Sequence, residues 1–264
     1  MKMRDILAKY FKGDGVIWGV VIILSLISLL AVYSSTGSLA YQSQEASTAY
    51  YILKHFSLLV LSLVIIFITH NIPYKYYSRL SQLFVLIAFV LLLLTLAMGT
   101  SVNQAKRWLT LPGLGLTIQT SDFAKLALVM YIARILSIKQ YKIGDSKEVL
   151  GYLFIPTIII CGLILPANLS TALILFSTVM ILLFVGRVKM KYILSLVVVG
   201  IFLLGMLIGG ILLTGNQGRI ATWQNRIEHF VDGEDAENYQ VEQSKIAIAT
   251  GGFLGKGPGN SPQR

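Results

Sequence analysis

Seven long, almost uncharged apolar runs constrain this chain more than any other feature. They lie near 16–33, 51–69, 80–98, 119–137, 149–165, 168–185 and 192–214, and the fifth and sixth are parted only by Pro166-Ala167-Asn168. A bilayer core about 30 Å thick takes ~20 apolar residues of helix, because lipid offers no partner for unpaired backbone amides and carbonyls. Hydrophobic residues make up 55% of the chain and charged ones 13%, against roughly 25% charged in soluble domains. The expected fold class is therefore an all-α polytopic membrane protein with seven spans and a large extracytoplasmic loop. The apolar core of the first run is longer than that of a signal peptide, so it is expected to remain as a span.

The net charge of +10 would suggest nucleic acid in a soluble protein, but here its distribution argues for topology and against a nucleic-acid partner. Lys2, Arg4, Lys9 and Lys12 precede the first run, and alternate connections carry Lys75 and Arg79, then Lys139, Lys142 and Lys147, then Arg187, Lys189 and Lys191. Cytoplasmic loops hold the excess of Lys and Arg. The N-terminus is thus expected in the cytoplasm and residue 264 outside. Cys161 is the single cysteine and sits in an apolar run, which excludes an intrachain disulfide or a cysteine metal pair. The chain reads as one integral membrane domain over 1–264, with 215–264 an extracytoplasmic segment that includes an amphipathic helix near 240–249.

Ionisable groups close to membrane depth are functional candidates, since each costs about 2.5–3.5 kcal/mol to insert. One cluster spans the outer connection and the start of the fourth run: Asn103-Gln104-Ala105-Lys106-Arg107-Trp108, a Pro112-Gly113-Leu114-Gly115 turn, and Gln119-Thr120-Ser121-Asp122-Phe123-Ala124-Lys125. Thr120 or Ser121 is suited to cap the helix and Asp122 to its first turn. Asp122 and Lys125, three apart, share a helical face. Two readings stand: an interfacial ion pair with Lys125 snorkelling outward, or a cationic site for a lipid-linked phosphate with Arg107 as fork and Lys125 as point charge. The second cluster is acidic, with Glu228, Asp232, Glu234, Asp235, Glu237 and Glu242 supplying six of the chain's twelve acids. It is either a solvated loop or the source of a general base or of ligands for a divalent cation. His55 and His70 read as interfacial. Gly251, Gly252, Gly255, Gly257 and Gly259 permit tight turns and close backbone approach.

In order along the chain, these pieces resemble the SEDS family (shape, elongation, division and sporulation; the FtsW/RodA/SpoVE proteins). Asn103 to Leu109 is similar to the family's NGAKRWI run, with Gln104 for Gly, and Gln119 to Leu126 to QPSEFAKL, with Thr120 for Pro and Asp122 for Glu. Pro166 to Ala172 is a looser likeness of QPDLGTA. Tyr239-Gln240, Gln243-Ser244, Ile246-Ala247-Ile248, Gly251-Gly252 and Gly255 to Ser261 follow the GYQ, QS, IAIGSGG and GKGPGNS elements, and the GPGNS ending resembles the division branch rather than the elongation branch. The resemblance implies about ten spans, so further helices are expected beyond Arg264.

It also implies a peptidoglycan glycosyltransferase, an inverting hexosyltransferase that polymerises lipid II at the septum of a bacterial cytoplasmic membrane. Partners implied are lipid II, a class B penicillin-binding transpeptidase and other division membrane proteins. The family's essential aspartate precedes the tyrosine in a DPxGxGYQ-like sequence whose prolines are absent here; Asp235 is its first match and Asp232 its second. Arg107 and Lys125 match their motifs directly as contacts to the lipid pyrophosphate. Lys106, Gln119, Ser121, Asp122, Tyr239, Gln243 and Ser244 complete the expected substrate-binding positions. The metal is unassigned, with Mg or Mn the candidate cofactor. Two other functions remain open: a transporter of lipid-linked precursors, which needs polar groups across the membrane depth, and a non-catalytic scaffold of the division machinery. The resemblance implies that the chain ending at Arg264 is itself inactive.

Overall fold

The structure, a computed structural model, describes residues 14–42, 48–102, 105–110, 117–140, 147–214, 239–252, 255–257 and 260. Its helices are α1 (Gly15–Gln42), α2 (Thr48–Asn71), α3 (Tyr74–Met98), α4 (Thr120–Ile138), α5 (Lys147–Ile164), α6 (Leu169–Val185), α7 (Met190–Thr214) and α8 (Tyr239–Gly251). Every apolar run of the sequence is a helix. Among the described residues α1 (over Gly15–Thr36), α2 and α3 are long and apolar enough to cross a membrane, whereas Leu150–Ile164, Leu169–Val185 and Met190–Met206 form shorter apolar helices. Hydroxyls within these segments return to the preceding turn, as Ser25 to the Val21 carbonyl (2.8 Å), Ser62 to Leu58 (2.8 Å) and Thr157 to Leu153 (2.7 Å). That disposes of donors which lipid cannot satisfy.

The helical class holds, with one addition. The connection between α3 and α4 contains a three-stranded antiparallel sheet, β1 (Thr100–Val102), β2 (Ala105–Thr110) and β3 (Thr117–Gln119), in the order β1-β2-β3. Register pairs Ser101 with Lys106, and Trp108, Leu109 and Thr110 with Gln119, Ile118 and Thr117. Its Thr, Val, Trp and Ile content suits a pleated surface.

The chain forms two compact units, residues Met1–Pro73 with Arg226–Arg264, and residues Tyr74–Asn225. In the first, α1 and α2 are an antiparallel pair: Ser28 Oγ and His55 Nε2 are 2.9 Å apart, and Trp18 meets His70 edge to face at 5.3 Å. α2 buries none of its residues, as suits a helix whose apolar surface faces lipid. In the second unit α4 is central and buries nine residues, among them Ala124, Leu128, Ile132 and Ile135, against Ala88 and Leu92 of α3, Leu153 and Ile160 of α5, and Leu175 and Val179 of α6.

Successive helices of this second unit run in opposite directions. Gly186 at the end of α6 abuts Leu136, Lys139 lies over the Tyr152 ring at 4.1 Å, and Arg134 reaches the Arg79 carbonyl. These contacts gather Arg79, Lys139 and Arg187 at one end, as the charge pattern predicts. The sheet and the 166–168 corner occupy the other.

Two local expectations are corrected. Gln119, not Thr120 or Ser121, is the N-cap residue of α4, and no side chain closes the cap. Thr120 already lies inside the first turn, buried, with its hydroxyl 2.8 Å from that of Thr95. The helix over 239–251 forms but has no continuous apolar face, because Lys245 falls between Val241 and Ile248 on one side and Ile248 is 79% exposed. The glycines after it behave as expected: Gly252, Gly255 and Gly257 have φ of 63°, 73° and 84°, the left-handed region natural to glycine.

Candidate functional site

At the sheet end of the second unit, the break between α5 and α6 builds one wall of a narrow cleft. Pro166 has no amide proton to continue α5. The next two amides, of Ala167 and Asn168, both turn back to the Ile164 carbonyl (3.0 and 2.8 Å). Asn168 then caps α6, its side-chain oxygen accepting from the Thr171 amide at 3.2 Å. This corner leaves the Ala167 carbonyl available, and Arg107 Nε of β2 donates to it at 2.8 Å.

The cleft is lined by Arg107, Thr95, Thr120, Ser121, Ala167 and Asn168 above a floor of Leu92 and Ile164, with room for roughly one water. Arg107 is half-buried. Its Nε–H is engaged, so the four protons on the two Nη atoms are the remaining donors of the guanidinium fork. Gln119 Nε2 donates to Ser121 Oγ at 3.1 Å, which connects β3 to the first turn of α4. Thr95 Oγ1 donates to the Leu91 carbonyl at 2.7 Å while sharing a hydrogen bond with Thr120. The polar lining thus comes from four separate stretches of sequence, at Thr95, Arg107, Thr120–Ser121 and Asn168.

Lys125 takes a different place. Its Nζ pairs with Asp122 Oδ1 at 2.8 Å, with the lysine side chain 39% exposed and the aspartate 60%. This is the expected i, i+3 pair, and it does not line the cleft of Arg107. A carboxylate engages one of three ammonium protons, leaving two for a phosphate that approaches from outside. The structure therefore brings Arg107, Gln119 and Ser121 together and sets Asp122 and Lys125 along the outer face of the same helix.

Lys106 is paired in register with Ser101 at the β1–β2 turn. Tyr239, Gln243 and Ser244 lie on α8 of the first unit, with Gln243 half-buried and Ser244 exposed. Asp232 and Asp235 lie outside the described residues, as do Asn103, Gln104 and the 112–115 turn.

Sequence reasoning overlooked Thr95, Asn168 and Arg134. A lone Thr in the run Leu91 to Leu96 and an Asn after a proline break were the available signals for the first two. Arg134, the second cation of the fourth run after Lys125 and the farther of the two along it, carried the strongest signal by the cost of placing it there.

Comparison with known proteins gives the family and supports the fold. The FtsW/RodA/SpoVE family model, described as cell cycle protein, matches residues 14–264. A protein of Coxiella burnetii named "Probable peptidoglycan glycosyltransferase FtsW" is 29% identical over 255 residues, covering 94% of this chain and 65% of the relative. The crystal structure of the rod shape determining protein RodA of Thermus thermophilus superimposes with a TM-score of 0.55 at 22% identity, covering 75% of this chain and 60% of RodA. A second structure, described as a peptidoglycan synthase complex that coordinates polymerization and crosslinking, gives 0.52 at 22% identity over 84% and 64% of the two chains. The chain thus spans about two thirds of the length of the proteins it matches. It belongs to the FtsW/RodA/SpoVE family of cell cycle proteins and is a multi-pass bacterial membrane protein.

Proposed function

We propose that the protein polymerises lipid II into glycan strands, as a peptidoglycan glycosyltransferase of the division septum with its N-terminus in the cytoplasm. The observation that carries this reading is Arg107. Its Nε donates to the Ala167 carbonyl, and its side chain lines a cleft with Thr95, Thr120 and Ser121 at the end of the bundle opposite the basic connections. With the basic end in the cytoplasm, this cleft faces the outer leaflet. A preorganised planar cation suits a pyrophosphate on which negative charge grows as a glycosidic bond breaks.

In the proposed step the GlcNAc 4-hydroxyl of the acceptor attacks C1 of the donor MurNAc with inversion. The new C1–O bond forms as the bond from C1 to the pyrophosphate oxygen breaks, and undecaprenyl pyrophosphate departs. A carboxylate takes the hydroxyl proton. Asp235 is assigned as that base on its place ahead of Tyr239, with Asp232 the second choice. Lys125 meets the pyrophosphate from the outer face of α4, and Tyr239, Gln243 and Ser244 are assigned to substrate binding on their match to the family motifs alone. Carboxylates of 228–242 are the groups that would hold a divalent cation, Mg or Mn. The partner is a class B penicillin-binding transpeptidase within the division machinery. The name of the synthase complex, which pairs polymerization with crosslinking, supports that choice.

A carrier of lipid-linked precursors is less well supported. Between Lys125 and Arg134, α4 offers only Tyr131 as a polar side chain, and Tyr131 is buried. No ladder of polar groups therefore follows this central helix through the bilayer.

The test is glycan synthesis from lipid II in detergent by the native polypeptide purified with its transpeptidase. The wild type is expected to make strands and Asp235→Ala to make none at equal expression. Normal rates from both Asp235→Ala and Asp232→Ala would remove the base assignment. Lipid II crossing liposome leaflets without polymer would identify a carrier, and neither activity would leave the scaffold reading.

A further inference from the structure

At the basic end of the second unit, an apolar groove of about 370 Å³ runs between α3, α4 and α5. That is within the ~300–1,000 Å³ of ordinary ligand sites. Leu86, Ile155 and Ile159 form its open side, at 61%, 59% and 41% exposure, so it opens laterally, where the bilayer lies. Pro156 lines it as well and cannot donate to the Tyr152 carbonyl one turn earlier. Gln82 and Tyr131 are its polar lining residues.

One helical turn beyond each, toward the basic end, stand Arg79 and Arg134. Arg134 Nη1 donates to the Arg79 carbonyl at 3.3 Å, while its Nε is buried with no hydrogen-bond partner. Among the described residues no carboxylate pairs with either arginine. A buried, charged donor without an acceptor is costly. What the site lacks is an anionic acceptor attached to an apolar tail.

We propose that this groove binds one anionic phospholipid, with its phosphodiester on Arg134 and Arg79 and an acyl chain along Leu86, Ile155 and Ile159. Phosphate geometry matches the guanidinium fork. The headgroup supplies the acceptor that Arg134 Nε is missing, and the chain covers apolar surface that α3 and α5 leave open. The site lies at the end of the bundle away from the Arg107 cleft and stands independently of the reaction proposed there.

Native mass spectrometry of the full chain in detergent, titrated with dioleoyl phosphatidylglycerol or dioleoyl phosphatidylcholine, tests it. The wild type is expected to retain one phosphatidylglycerol about tenfold more tightly than phosphatidylcholine, whose own cation opposes the arginines. Arg134→Gln is expected to lose that preference. Ile159→Trp, which fills the groove and leaves both arginines in place, is expected to lose the bound lipid even if Arg134→Gln fails to fold. Lys189→Gln, a charge at the same end outside the groove, should retain it. Wild-type retention by Ile159→Trp, equal binding of the two lipids, or displacement by inorganic phosphate would overturn the proposal.

Discussion

Arg107 shows how one residue's role depends on the corner opposite it. Its guanidinium is aimed by a carbonyl that exists only because Pro166 stops α5 and Asn168 starts α6. Asn168→Ala is therefore expected to cost about 1 kcal/mol of stability through the lost cap, and to lower glycan synthesis by letting the corner move. Asn168→Asp, which also caps well, should restore both, as read by thermal unfolding and initial rates. The Thr95–Thr120 hydroxyl pair makes a second residue-scale prediction. In a double-mutant cycle with Thr95→Val and Thr120→Val, the coupling is expected near 0.6 kcal/mol and not above ~1.7, the range for hydrogen bonds within membranes. Neither link was legible in the sequence. Thr95 and Thr120 are 25 residues apart, and Arg107 and Ala167 are 60 apart. Local capping rules favoured Thr120 or Ser121 as a cap, but the hydroxyl of Thr120 pairs with Thr95 and that of Ser121 accepts from Gln119.

Among elements, legibility followed length. The seven apolar runs are long enough for composition alone to mark them, and all seven are helices. The sheet escaped notice because strands of three, six and three residues carry too little alternation to register. The turn between α6 and α7 supplies a test of element termination. The Val188 amide returns to the Leu183 carbonyl at 3.0 Å, and Arg187 holds the left-handed position (φ 60°) where glycine is usual. Arg187→Gly is expected to stabilise the protein by about 1 kcal/mol by relieving that conformation. Thermal unfolding in one detergent checks it, and a lowered midpoint would show that the arginine side chain outweighs its backbone strain.

For the whole molecule, the alternation of basic and basic-poor connections was readable from charge alone, and within residues 74–225 the helices place those charges at one end. The aspartate assigned as base was reached by family likeness only, since its motif has lost its prolines. Arg107 accordingly carries the proposed activity. Its most direct test is the initial rate of glycan synthesis from lipid II by the native polypeptide with its transpeptidase, comparing wild type with Arg107→Lys. A lysine keeps the charge but lacks both the Nε contact to Ala167 and the fork. The expected result is a loss of about 10²-fold, the scale of removing one preorganised donor from a transition state, with expression and thermal stability retained. Strands made by Arg107→Lys at the wild-type rate would contradict the account.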